Sequence, residues 1–166
     1  FRERGFDGVA VADLMRAAGF THGGFYNHFP TKEALASEAL TQAFEEMARV
    51  RARAADLPEM LTGYLSKAAR GTPGRTCPVA ALAGDAARQP GPVRDAFADG
   101  VEAMIESFAA QLDGADARAR AVALLARMAG GLMLSRAVPD DHPLAGEILQ
   151  ATLASCLAEV GTLAPG

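Results

Sequence analysis

Residues 9–29 read Val-Ala-Val-Ala-Asp-Leu-Met-Arg-Ala-Ala-Gly-Phe-Thr-His-Gly-Gly-Phe-Tyr-Asn-His-Phe, and how this stretch divides decides the fold. Val11, Leu14, Met15 and Ala18 recur at helical spacing, which predicts a short helix from about Ala10 to Ala18. Gly19 follows it and is free to take a positive φ. Thr21 is a good N-cap residue for a second short helix reaching about His28. Pro30 stops that helix and Thr31 is placed to cap the next. Two short helices joined by Gly19-Phe20 have the form of a helix-turn-helix. Leu14, Met15, Phe20, Phe25 and Phe29 are the apolar groups expected to lock the pair at a steep angle. The polar side of the second helix is then free to enter a major groove.

Outward from this core, Phe1-Arg2-Glu3-Arg4-Gly5 reads as the last turn of a helix closed by a C′ glycine, so a first helix is expected to be largely missing. Downstream, turn residues mark off helices over about 31–54, 56–69, 78–88, 92–112, 116–137 and 144–160. Alanine abounds and Trp is absent, a composition that favours helix over strand. The expected fold is all-α, with about nine helices and no convincing strand. A helix-turn-helix DNA-binding head over 1–48 leads into a ligand-binding and dimerisation body over 49–166.

Charge gives the head little help. The net charge is −4, which argues against indiscriminate nucleic-acid binding. Residues 1–54 carry seven Lys/Arg against seven Asp/Glu, and residues 55–166 carry nine against thirteen. No apolar run reaches transmembrane length without charge, and no secretory leader is recognisable. Cys77 and Cys156 lie far apart without metal-ligand spacing and read as reduced thiols of a cytoplasmic protein. No Ser/His/Asp set, carboxylate pair, metal cluster or glycine-rich phosphate loop is recognisable, so neither an enzyme nor a cofactor or metal is expected.

The segment from Gly5 to Leu35 also resembles the DNA-binding domain of the TetR family of transcription regulators. Gly5-Phe6-Asp7-Gly8, Ala18-Gly19-Phe20-Thr21, Gly24-Phe25-Tyr26-Asn27-His28-Phe29 and Lys32-Glu33-Ala34-Leu35 carry the resemblance. It implies that Thr21, at the start of the reading helix, contacts a phosphate or base, and that Tyr26 and Lys32 meet backbone phosphates. It makes His22, Gly23 and Asn27 the candidate base-edge readers, and Phe25 and Phe29 core anchors. Phosphate contacts set register, whereas base contacts set sequence. The chain departs from the family pattern at Ala10, where a Ser or Thr cap is usual, and at Met15, where a small residue is usual. Gly23 and Gly24 are poor helix formers, each costing about 1 kcal/mol against Ala, so a soft reading helix is expected.

In the body, the helix at 116–137 is apolar nearly all round, and the last helix repeats the pattern. A helix with two apolar faces needs partners on both. The resemblance implies that the last two helices form a four-helix interface between two copies, with Leu125, Met128, Leu132, Ile148, Leu149, Thr152 and Cys156 as candidate contacts. Gly130-Gly131 would allow close helix approach. It also implies a ligand cavity between the helices at 56–69, 78–88 and 92–112, with Met60, Tyr64, Phe97, Met104 and Phe108 as candidate lining. Tyr64, Arg94, Ser107 and Gln111 are polar groups able to orient a ligand.

Cys77 directly precedes Pro78 at a helix start, where the helix dipole and nearby Arg75 would lower a thiol pKa, making it a candidate redox or electrophile sensor. The expected function is a ligand-responsive regulator, a repressor, that binds palindromic operator DNA as a homodimer and is released by a small hydrophobic effector. The alternatives are a thiol-based sensing regulator acting through Cys77, and an all-helical ligand-binding protein or enzyme without DNA binding.

Overall fold

The computed structural model describes residues 1–161, and of His22 its backbone alone. All regular structure among the described residues is helical. The α-helices are α1 (Val11–Ala17), α2 (Lys32–Arg51), α3 (Leu57–Tyr64), α4 (Lys67–Gly71), α5 (Pro78–Ala86), α6 (Gly91–Ala109), α7 (Ala117–Ala137) and α8 (Pro143–Gly161). Short 3₁₀ turns span His22–Asn27 and Pro73–Arg75. No described helix is long and apolar enough to cross a membrane.

Local sequence explains most boundaries. Thr31 accepts a 3.1 Å hydrogen bond from the Ala34 amide and starts α2. Asp56 accepts 2.8 Å from the Glu59 amide, while the Glu59 carboxylate reaches back to the Ala55 amide at 2.6 Å. This reciprocal arrangement is close to a capping box. The expected single helix over 56–69 is two helices. Leu65 leaves the helical region at φ −94°, ψ 33°, and Ser66 caps α4 by accepting 3.1 Å from the Ala69 amide. A Ser immediately after the first helix offers the backbone an alternative partner, so the chain re-caps and turns. At the N-terminus, residues 1–5 form a turn in which the Gly5 amide donates 2.8 Å to the Phe1 carbonyl, with Gly5 at φ 70° as its terminating glycine.

Two pairings dominate the body: α2 runs alongside α6 in the same direction, Ser37 lying near Pro92 and Phe44 near Gly100, and α7 runs antiparallel to α8, with α6 also packed on α7. The core runs through all four and through α3, with Leu40 of α2, Leu61 of α3, Val93, Met104 and Phe108 of α6, Leu124, Met128 and Leu132 of α7 and Cys156 of α8 sealed from water. Two glycines set the spacing. A Cβ on Gly100 of α6 would overlap the ring of Phe44 on α2, and one on Gly131 of α7 would come within 2.5 Å of Thr152 on α8. The expected close approach at Gly130-Gly131 is therefore made by Gly131, inside the chain, while Gly130 faces open space.

A polar strap ties the loops to this core. Arg70 donates to the Ser135 carbonyl and hydroxyl at 3.1 Å each and to the Val138 carbonyl at 2.7 Å. The buried Ser135 hydroxyl donates 2.8 Å to the Ala145 carbonyl. Arg136 donates to the Ala69 carbonyl at 2.7 Å and to the Thr76 hydroxyl at 2.6 Å.

Candidate nucleic-acid interface and ligand cavity

The head is built around one tight turn. After α1, the Gly19 amide donates to the Arg16 carbonyl and the Phe20 amide to the Met15 carbonyl, with Gly19 at φ 77°. This is the complete Schellman pattern, which needs a left-handed residue and so a glycine. Phe25 is fully buried and its ring stacks on Phe29 at 5.7 Å, so both anchor the head. Met15 is buried with them, but Phe20 is 60 % exposed, its ring tilted against that of His28 at 6.3 Å. Phe20 is therefore not part of the lock the spacing suggested.

The second helix of the motif is a 3₁₀ turn, not an α-helix. Gly23 and Gly24 account for this, because two adjacent residues of low helix propensity cannot hold a regular α turn over six residues. Thr21 is extended and its side chain makes no capping bond, which corrects the expected N-cap. Thr21, Gly23 and Asn27 are exposed, and Tyr26 is 61 % exposed with its ring edge-on to Phe25. Lys32 follows in the first turn of α2, partly exposed. The side chain of His22 lies outside the described residues.

A cavity of about 410 Å³ opens between the C-terminal end of α2, α3 and the Arg75–Cys77 segment. Of the five expected lining residues, Met60, Tyr64 and Met104 border it. Phe108 borders an adjoining hollow of about 360 Å³ that shares Arg51, Ala54 and Met60 and also holds Ser107 and Gln111. Phe97 is elsewhere: it packs edge-on to Phe44 at 5.8 Å and flanks Arg94 in a small hollow on the other side of α6. Helical spacing could not distinguish the two sides of α6, because both are apolar. The long helix itself forms a wall, through Met47, Val50 and Arg51. Sequence reading missed Arg51, although its i±3 and i±4 neighbours are apolar.

Cys77 also borders this cavity, its sulfur 3.7 Å from that of Met104. Its position before α5 is as expected, and the Val79 and Ala80 amides favour the thiolate. Burial outweighs them and pushes the Cys77 thiol up, which reverses the expected lowering. Tyr64 presents a hydroxyl that is buried without an oxygen or nitrogen partner, and burial pushes its pKa well up. Arg51 and Arg136 each keep one buried nitrogen without a hydrogen-bond partner, and burial lowers both.

The outer surface of α7 and α8 carries a second feature. Leu125, Met128, Leu132, Leu149 and Cys156 are buried in the chain's own core, and Ile148 and Thr152 are partly covered. The first five cannot present side chains to a second copy, which corrects the expected contact set. The opposite face of α7 holds Val122, Ala126, Met133, Leu134 and Ala137 in the open, with Leu134 62 % exposed. Both faces read as equally apolar in sequence, and the closed core selects which one stays outside.

Comparison with known proteins places these features. Residues 1–39 match the family described as bacterial regulatory proteins, tetR family, and residues 54–146 match the LmrA/YxaF-like transcriptional regulator C-terminal domain. The HTH-type transcriptional repressor DhaR of Mycobacterium sp. (strain GP1) is 45 % identical over 49 residues, 30 % of this chain. That match spans only 25 % of the DhaR length. The crystal structure of E. coli NemR in its reduced form superposes with a TM-score of 0.75 over 93 % of this chain and 87 % of that one, at 18 % identity, a likeness of fold. The chain belongs to the tetR family of bacterial regulatory proteins, with a C-terminal domain of the LmrA/YxaF-like transcriptional regulator type.

Proposed function

We propose that this regulator is a repressor that binds palindromic operator DNA as a homodimer and releases it when a small, largely apolar effector enters the cavity beside Met60, Tyr64 and Met104. The head of residues 1–48 would read DNA, with Thr21, Tyr26 and Lys32 on phosphates and His22, Gly23 and Asn27 toward base edges. Residues 49–166 would hold the effector and the second copy. One short reading turn offers few base contacts, so two copies on a palindrome supply the specificity.

The observation that carries this reading is the course of α2. Lys32 stands in its first turn and Arg51 in its last, at the two ends of a 20-residue helix, so one rigid rod of roughly 30 Å joins the DNA-facing end to the cavity wall. Filling the cavity would push on that rod directly. A second link supports it: Thr76 borders the cavity, and its carbonyl accepts 3.1 Å from Arg2 in the turn preceding α1. Coupling between two such sites typically amounts to about 1–3 kcal/mol, enough to change operator affinity five- to 150-fold.

Burial of the Cys77 sulfur speaks against the thiol-sensing route, since oxidants and electrophiles attack an exposed thiolate. Tyr26→Phe and Lys32→Ala test the proposal. Weakened DNA binding with cavity-ligand binding intact supports it; unchanged DNA affinity in both variants would overturn the site assignment.

A further inference from the structure

The hollows of the molecule differ in how their charges are balanced. The wide hollow beside Phe1 and the middle of α2 is bordered by Arg2 and Arg49, and each has a carboxylate: Arg2 meets Glu46 at 3.0 Å and Arg49 meets Glu45 at 3.3 Å. The cavity at the end of α2 is bordered by Arg51, Arg53 and Arg75, and Glu59 is the single carboxylate among its described lining residues. Glu59 is already engaged, accepting from the Ala55 amide at 2.6 Å. Among the described residues no carboxylate lies within ion-pair distance of Arg51.

The unmet groups at this cavity are donors. Arg51 Nε is buried without a partner, and a guanidinium offers only N–H donors. The Tyr64 hydroxyl is buried beside the same space with no oxygen or nitrogen partner, the Cys77 thiol being its polar neighbour. Behind the wall, Arg136 binds the Ala69 and Arg70 carbonyls and the Thr76 hydroxyl, yet its Nη1 is also unmet. Buried polar groups are almost always hydrogen-bonded, so the unmet Arg51 donor, with the Tyr64 hydroxyl bordering the same cavity, points to an absent acceptor. Arginine stays protonated, so it cannot shed the mismatch by losing its charge. Met47, Val50, Met60 and Met104 supply the apolar remainder of the wall.

We infer that the effector of this cavity is an organic anion, an apolar skeleton bearing one carboxylate whose oxygens accept from Arg51 Nε and the Tyr64 hydroxyl. The inference rests on the cavity being the effector site. A neutral ligand leaves the Arg51 charge uncompensated, and a cation meets three arginines. At about 410 Å³ the cavity lies in the range that holds drug-sized ligands.

The test uses three probes that share one skeleton: 2-naphthylacetate, 2-(2-naphthyl)ethanol and 2-(2-naphthyl)ethylamine, titrated calorimetrically into the purified full chain near neutral pH. The acid is expected to bind about tenfold or more tighter than the alcohol, as one charge-assisted contact provides, and the amine weakest. Arg51→Met is expected to abolish the acid's advantage over the alcohol, with helix content by circular dichroism reporting that the variant is folded. Arg51→Gln and Tyr64→Phe are expected to reduce the preference by smaller factors. An alcohol or amine that binds as tightly as the acid overturns the anion assignment while leaving the cavity as an effector site. A preference that survives Arg51→Met overturns the placement of the anion. If none of the three binds, the effector-site reading and the anion assignment both fall.

Discussion

Replacing Gly100 with Ala probes the contact that holds the rod in the body. Gly100 lies mid-way along α6, where intrinsic propensity alone favours Ala by about 1 kcal/mol. The structure opposes that gain. A Cβ at this position would overlap the Phe44 ring, which is buried on α2 and already packed edge-on against Phe97 at 5.8 Å. Because the ring is buried and held against Phe97, relieving the overlap must displace packed side chains or separate α2 and α6. Overpacking of this kind costs about 1–3 kcal/mol, and severe overlap lies at the upper end. Subtracting the propensity gain leaves a net loss of roughly 1–2 kcal/mol. Urea denaturation at fixed protein concentration measures it. Gly84→Ala in α5 is the control, because a Cβ there meets open space, and it is expected to be neutral or stabilising by up to about 1 kcal/mol. A Gly100→Ala protein as stable as the wild type, with Gly84→Ala behaving as described, would refute the close α2–α6 approach.

Three further outcomes follow from the same packing. Ser135→Ala leaves the Ala145 carbonyl without its 2.8 Å donor and Arg70 without one acceptor, and the buried loss is expected to lower unfolding free energy by about 1–3 kcal/mol in urea titration. The folded chain holds the Cys77 and Cys156 thiols protonated to higher pH than the unfolded chain does, with burial the leading cause for both. Their contribution is fully present below the ordinary thiol range and is lost as pH climbs from about 8.5, so denaturation midpoints should fall above that pH and Cys77→Ala should flatten the decline. Leu134→Glu places a charge on the open face of α7 and is expected to shift a dimer toward monomer in sedimentation velocity with little change in helix content; an unchanged assembly counts against that face as the interface.

Much of the architecture was legible because local signals and global packing agree. Thr31 and Asp56 announce their helices and cap them, and Gly5 and Gly19 take the positive φ their positions suggest. The failures have physical causes. Ser66 is also a good cap, and only the tertiary fold decides that the chain restarts there. The Gly23-Gly24 pair signals weakness but not which alternative turn replaces the α-helix. On α7, Leu132 and Leu134 look alike in sequence, yet one is sealed and the other is open, because burial depends on what α6 and α8 bring against the helix. The cavity was half legible. Met60, Tyr64 and Met104 lie on its wall, whereas Phe97 faces away and Arg51 was overlooked, since a lone arginine on a long helix ordinarily reads as solvated surface.

The most direct test of the central claim is selection of binding sites from a random duplex pool by the full-length protein, followed by footprinting of the enriched sequence. The account predicts a palindrome with two protected half-sites on one face of the duplex, about 34–36 Å apart or a multiple of that, and protection lost in Tyr26→Phe, Lys32→Ala protein. Recovery of no sequence above the starting pool, or a single unpaired footprint indifferent to those substitutions, would contradict it.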